Sequence, residues 1–311
     1  MSAVGSFRRA IGAGLTLLSL PSVLPSPLAA QEAPDSPIVV TGQPELTEER
    51  AREVVGRLAR PVSGQLARFH DPVCPHVIGF EEPYAGMVVE RIRTTAEEIG
   101  AEVGGEDCPA NLYLVIVDDG GAFVEQLHRD HPEAFAGMSV EAIDALSRPD
   151  SPARAWTVTW QTNSLGQVAG QPSPSGGSGA VKSGYAGSSV RFDGVPVLRV
   201  YEASTINPSV QQATGTAWVV LETEATFGKS LRQIADYAAM RGLAMVQPDG
   251  VDGNVETILG LFGSAMAPSR LTAFDRAFLE GLYRVPPRRW ARSQVRYIAD
   301  AVAREAARSE R

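Results

Sequence analysis

The chain has 311 residues, of which 44% are hydrophobic and 21% charged, and a formal net charge of −8 at pH 7. This length suits one large domain or two smaller ones, and the composition is that of an ordinary globular protein. The excess of acidic residues argues against general nucleic-acid binding, which depends on neutralising phosphates with lysine and arginine.

The first thirty residues have the pattern of a secretory signal peptide. Arg8 and Arg9 precede an apolar run from Ile11 to Leu20, no acidic residue appears before Glu32, and Leu28-Ala29-Ala30 offers a small-residue cleavage site. The alternative is an uncleaved anchor, although the run is shorter than the roughly 20 residues that span a bilayer. We therefore predict a signal peptide over residues 1–30, a periplasmic or secreted location, and no transmembrane segment in the mature chain.

Both cysteines lie in the part of the chain that would be exported. Residues 31–45 are rich in proline and polar side chains and are predicted to be a flexible leader, and Cys74 and Cys108 follow. An even pair in an oxidising compartment predicts a disulfide. Chain entropy alone would give such a crosslink about 4 kcal/mol of stabilisation. The alternative is a metal cluster in which His70 and His76 join the two cysteines.

The order of the periodic segments predicts the fold class. Helical patterns run over 47–59, 84–100, 122–128 and 140–146, and strand patterns over 111–118, 154–162, 195–203 and 217–223. Helices and strands alternate first, strands then cluster, and helices close the chain. This order predicts an α/β (α+β) fold with a mixed twisted sheet and packed helices over residues 46–285. Residues 286–311 are predicted to form a C-terminal helix that packs on the domain through an apolar stripe of Trp290, Val295, Ile298 and Val302.

A Gly/Ser-rich loop is predicted at residues 163–194, between two of the strands. It contains GGSGAVKS from Gly176, one residue short of a phosphate-binding loop. Val181 stands where a glycine precedes the lysine, and no helix pattern follows, so an exposed hairpin loop is the expected structure.

The clearest helix signal follows the last strand. Ser230 and Gln233 have the spacing of a capping box, and Gly242 is a natural stop. Apolar residues share one face of the segment, which predicts a helix that packs on a core. Those residues are Leu231, Ile234, Ala235, Ala238 and Gly242.

The stretch from Ala217 to Tyr283 resembles the active-site region of metzincin zinc proteases, in which H-E-x-x-H-x-x-G-x-x-H precedes a Met-containing turn. Gly242 corresponds to the motif glycine. Counting from it places the remaining motif positions at Ala235, Asp236, Ala239 and Met245. Downstream, Thr257-Ile258-Leu259 resembles the turn, and Leu271 to Tyr283 resembles the closing helix.

The resemblance implies a bacterial exported protein with a degenerate metzincin-like, zincin-like domain that lacks the zinc ligands. Hydrolytic zinc needs three protein ligands and an open position for water, which Ala235, Ala239 and Met245 do not supply. No catalytic residue, metal ligand or cofactor is therefore predicted. Asp236 is interpreted as an exposed carboxylate in the first turns of the helix, where it would suit the helix dipole.

Two functions remain as hypotheses. The first is a non-catalytic, zincin-like binding or envelope-associated module whose partner is a protein or an envelope component. The alternative is a metal-dependent hydrolase or peptidase with a non-standard site. Candidate groups for such a site are the early histidines, among them His128 and His131, which are three residues apart. Glu222 and Glu224 are two residues apart on one strand face and form a candidate carboxylate pair. The arginine-rich tail offers a third, basic surface.

Overall fold

A computed structural model describes residues 46–149, 151–163, 168, 180–182, 189–191, 207–250, 255–263 and 267–309. The predicted signal peptide, the leader, the 195–203 strand and most of the GGSGAVKS segment lie outside the described residues.

Four strands form the central sheet. In spatial order they are β1 (Pro75–Ile78), β2 (Leu112–Val117), β6 (Gln211–Glu222) and β3 (Ala153–Thr162). β1, β2 and β6 are parallel, whereas β3 is antiparallel to β6. The short strands β4 (Ala180–Lys182) and β5 (Ser189–Arg191) pair with each other as a separate antiparallel ribbon. The predicted mixed sheet and α/β fold class are confirmed.

The bounds of the helices are α1 (Glu48–Leu58), α2 (Tyr84–Glu98), α3 (Gly120–Asp130), α4 (Val140–Leu146), α5 (Thr223–Thr226), α6 (Leu231–Leu243), α7 (Ala273–Arg284) and α8 (Ala291–Ser309). Apart from α5, the helices lie close to their predicted positions, and α1, α3, α4, α6 and α7 begin at side-chain caps. Short 3-10 turns occupy Pro132–Phe135, Pro248–Gly250 and Ile258–Phe262. Thr47 caps α1, and the predicted capping box of Ser230 and Gln233 starts α6. Within the described part of the chain no helix is long and apolar enough to cross a bilayer.

The sheet separates two hydrophobic cores because alternate residues of a strand point to opposite faces. Leu112 and Leu114 of β2 join an aliphatic core with α2 and α6. Val115 joins a smaller, aromatic-rich core with Phe135 and Trp156 beneath α3 and α4. β2 therefore lies inside the sheet with both faces covered, which explains its uninterrupted apolar sequence.

Helix α6 lies in the centre of the aliphatic core. Every residue from Ile234 to Leu243 is buried. Gly242 was expected to stop the helix, but α6 continues to Leu243 and ends at Ala244. A Cβ at position 242 would lie 2.8 Å from Leu112 Cδ1. The glycine therefore serves the close approach of α6 to β2.

The C-terminal helix α8 packs on α1 and α7. Ile298 and Val302 of the predicted apolar stripe are buried and Val295 is partly buried. Trp290, assigned to the same stripe, is 50% exposed instead. It precedes the helix, and its ring lies against Gly64, so only the helical residues of the stripe contribute to the core.

Candidate functional site

The positions corresponding to zinc ligands are part of the core packing. Ala235 and Ala239 have no exposed surface and belong to the aliphatic core, so both are small packing residues. Met245 follows the end of α6, is partly buried, and accepts a hydrogen bond from the Arg60 amide through its carbonyl, at 3.0 Å. The backbone of Met245 thus connects α6 to the segment after α1.

Asp236 is fully buried, so its interpretation as an exposed carboxylate is wrong. Arg91 of α2 donates from Nε to Asp236 Oδ1 at 2.6 Å, and the amide of Leu271 donates to Oδ2 at 2.8 Å. Helical periodicity places Asp236 beside Ala235 and Ala239 but does not reveal Arg91, which is 145 residues away in sequence. The carboxylate joins α6 to α2 and to the start of α7.

The turn that resembles the Met-containing turn is fixed by a second buried carboxylate. Asp275 of α7 accepts from Thr257 Oγ1 at 2.5 Å and from the amides of Ile258 and Thr272, both at 2.9 Å. Burial raises the pKa of Asp275, although these hydrogen bonds act in the opposite direction. Asp275 also completes a capping box with Thr272, so one side chain starts α7 and holds the turn.

The four histidines are not brought together. His128 is on α3 with its ring against Phe135, whereas His131 caps the end of that helix and contacts Glu133 at 3.2 Å. Among the described residues no group of three or more histidine, cysteine or acidic side chains has the geometry of a metal site. The predicted disulfide between Cys74 and Cys108 is present. The disulfide occupies both cysteines of the alternative metal cluster with His70 and His76, so neither thiol is free to bind a metal.

His70 lies in a partly buried, electropositive position. Burial lowers the pKa of His70 to about 4, and the nearby charge of Arg68 acts in the same direction. Arg68 Nη1 donates to the carbonyl oxygens of Leu282, Tyr283 and Val285, so it neutralises the negative end of the α7 dipole. This capping role has no local sequence signal, because more than 200 residues separate Arg68 from its partners.

A crevice of about 390 Å³ lies at the carboxyl end of β6. Its lining residues are Pro152, Glu222, Glu224, Ala225, Lys229, Leu261, Phe262 and Gly263. In α/β proteins, ligands bind characteristically outside the carboxyl ends of parallel strands. The lining combines apolar side chains with carboxylate and ammonium groups. The exposed residue Phe227 lies in sequence between the lining residues Ala225 and Lys229.

Glu222 and Glu224 do not share a strand face as predicted. Glu222 is the last residue of β6, and Glu224 lies in the short helix α5. Glu222 Oε1 accepts from Arg154 Nη1 at 2.8 Å, and Arg154 also donates to the carbonyl oxygens of Leu146 and Arg148. The buried guanidinium fixes Glu222, whereas Glu224 is exposed and available to a ligand.

An aromatic row crosses the sheet on the face opposite α6. Strand register places His76, Tyr113, Trp218 and Trp156 opposite one another on four neighbouring strands. Tyr113 and Trp218 stack with centroids 4.2 Å apart, and Trp218 and Trp156 with centroids 5.7 Å apart. Because these rings cover each other's faces, the row stabilises the sheet and offers little stacking surface to a ligand. The sequence shows each aromatic residue but not the register that aligns them.

Comparison with known protein families, with curated proteins and with solved structures found no match to this chain. The proposed function therefore depends on the geometry of the chain itself.

Proposed function

We propose that the mature chain is an exported, non-catalytic binding module of zincin-like architecture, with its ligand site in the crevice at the end of β6. The main support is the environment of Asp236. Where the resemblance would place a general base, the carboxylate is buried and satisfied by Arg91 and Leu271. A base must reach the proton that it removes, and this carboxylate is committed to holding three elements together.

Export is supported by the signal-like N-terminal sequence and by the disulfide. Disulfides persist in oxidising compartments and are rare in the cytosol. Fusing residues 1–30 to a reporter enzyme that is active only after export tests this part of the proposal. We expect reporter activity outside the cytoplasm and loss of that activity when Arg8, Arg9 and the apolar run are replaced by polar residues.

The absence of catalysis is tested with protein purified without chelators and without a histidine tag. We expect substoichiometric zinc by elemental analysis and no cleavage of unfolded casein. Stoichiometric zinc together with cleavage that a chelator abolishes would contradict the proposal and establish the alternative, a metal-dependent peptidase with a non-standard site.

Ligand binding in the crevice follows from its mixed chemistry. Leu261 and Phe262 line the crevice together with the exposed carboxylate of Glu224, and this combination suits a peptide that carries an apolar and a cationic side chain. Phe227 is 70% exposed at this edge, as is typical of interface aromatic residues.

A peptide array screened with labelled protein tests the crevice directly. We expect selection of peptides that pair lysine or arginine with aromatic or aliphatic residues, and about tenfold weaker binding after Phe227→Ser with Glu224→Gln. Val140→Ser is the matched control, because Val140 is also exposed but lies on α4. If both variants weakened peptide binding equally, the ligand site would not be the crevice.

A further inference from the structure

Helices α1 and α8 enclose a second and larger groove, of about 1540 Å³. Its lining shares no residue with the crevice at the end of β6. Along α8 the lining extends from Ala291 to Ala307, which is about 24 Å of helix at 1.5 Å per residue. The groove is therefore long as well as concave.

The α8 wall of this groove is basic. Arg292, Arg296, Asp300 and Arg304 succeed one another at intervals of four residues and share one side of the helix. All three arginines are exposed, and none forms an ion pair with a described residue. On the facing helix, Glu48 and Arg52 neutralise each other at 3.1 Å. The groove is thus positive although the chain as a whole carries a net charge of −8.

Small and apolar side chains lie beside the arginines. Ala303 and Ala306 are partly buried, Ala307 is exposed, and Val295 packs on the aliphatic core. Tyr297 is 38% exposed and also lines the groove. Alanines leave room for another backbone to approach closely, and an amphipathic side chain such as tyrosine suits a protein interface.

We propose that the α1–α8 groove binds an acidic amphipathic helix of a partner polypeptide. An amphipathic helix places its apolar side in a hydrophobic groove and its polar side at the rim. A helix is roughly 10 Å across, so three to four turns match the length and volume of the groove. Acidic side chains on that helix would meet the unpaired arginines, and a flat bilayer would not enter a concave groove between two helices. This inference does not depend on the crevice or on the proposed function.

The test uses the full mature protein and a fluorescently labelled peptide built from leucine and glutamate in a helical repeat. A length of about 15 residues gives roughly four turns. We expect saturable binding by fluorescence anisotropy that weakens as salt screens the charges. A peptide with lysine in place of each glutamate should bind at least about tenfold more weakly, because it would face the arginines with like charge.

Two sets of variants locate the binding. The triple change Arg292→Glu, Arg296→Glu and Arg304→Glu should weaken binding of the glutamate peptide at least about tenfold, and Ala307→Trp should obstruct the groove with a similar effect. The matched controls are the triple change Arg129→Glu, Arg148→Glu and Arg232→Glu, which alters net charge equally on exposed residues outside the groove, and Ala142→Trp on α4. Unchanged circular dichroism and thermal midpoints establish that each variant is folded.

Several results would overturn the inference. No saturable binding of the glutamate peptide, equal binding of the lysine peptide, or equal effects of the groove and control triples would each refute it. Binding to phosphatidylglycerol vesicles without binding to the peptide would assign the arginines to a membrane surface. Concentration-dependent dimerisation that the α8 triple abolishes would identify a second copy of the chain as the occupant.

Discussion

Helices α6 and α8 both pack against other helices, but they differ in how much of their surface is covered and in how their charges are used. On α6, Asp236 and Arg241 are buried, and each bonds to a neighbouring side chain. On α8, the buried residues other than Gln294 are apolar, and the groove arginines face solvent. Burying an unpaired charge costs several kcal/mol, and Arg91 supplies the charged partner that the buried Asp236 needs. The buried carboxylate of Asp236 on α6 is therefore structural, whereas the exposed arginines Arg292, Arg296 and Arg304 on α8 are available for binding.

The position of each helix in the fold explains this difference. α6 lies against the sheet with α2 beside it, and Gly242 brings it close to β2. α8 covers α7 and α1 at the end of the chain. Variants on the two helices should consequently differ in their effect on stability.

The largest effect is expected for Asp236→Ala. Removing the carboxylate leaves the guanidinium of Arg91 and the amide of Leu271 without their partner, so the free energy of unfolding should fall by about 3–5 kcal/mol. Urea denaturation measures the change. The matched control on α8 is Asp300→Ala, which should stay within about 0.5 kcal/mol. If Asp236→Ala and Asp300→Ala lowered the free energy of unfolding by similar amounts, the two helices would not differ in how they use their charges.

A smaller loss of stability is expected at low pH because of His70, which lies near Arg68, the arginine that caps α7. Its pKa is lowered from 6.5 to about 4 on folding, mainly by burial. The folded state therefore binds this proton less readily than the unfolded state. The associated stability is complete above about pH 6.5 and is lost as the pH falls towards 4, with a total on the order of 3 kcal/mol.

Urea denaturation at a series of pH values measures this dependence. His70→Gln should flatten the stability profile between pH 6.5 and 4, whereas His128→Gln, which changes an exposed histidine on α3, should not. If the free energy of unfolding of the His70 variant still fell between pH 6.5 and 4, another group would be responsible for the loss of stability in acid.

A smaller loss of stability is expected when a histidine is introduced on α6. Ala239→His forces a larger, polar ring into a filled core and should destabilise the protein by about 1–3 kcal/mol. Ala307→His on exposed α8 should stay within about 0.5 kcal/mol. The double variant Ala235→His with Ala239→His tests whether a metal site is latent. A rise in its thermal midpoint with added zinc would contradict the interpretation of α6 as packed scaffold.

The smallest effect is expected for the groove arginines. Replacing Arg292, Arg296 and Arg304 with alanine should change stability by less than about 0.5 kcal/mol per residue, because exposed charges contribute little. Thermal unfolding measures the change, with Arg129→Ala as the control. A loss of more than about 2 kcal/mol would mean that these arginines hold α8 in place, which would remove the basis for assigning them to a partner.

Local patterns in the sequence were sufficient to predict most elements that the structure describes. The capping residues Thr47 and Ser230 mark true helix starts, because a cap needs only a neighbour three residues away. The apolar run within residues 111–118 predicts an interior strand because both of its faces need cover, and β2 occupies Leu112–Val117 of that stretch. The disulfide pairing followed from there being only two cysteines. Membership of the zincin-like class stays a prediction.

The tertiary structure alone decided the roles of the charged and polar residues. Asp236 was expected at the surface because a helical carboxylate is usually exposed, and only the packing of α2 supplies Arg91 to bury it. Glu222 and Glu224 were placed on one strand face because they are two residues apart, but β6 ends at Glu222 and Glu224 lies in α5. Helix periodicity is a local property, whereas the partner of a buried charge comes from distant sequence. The sequence therefore determined which segments form the core, and the assembled fold determined which charges are bonded within it and which face solvent.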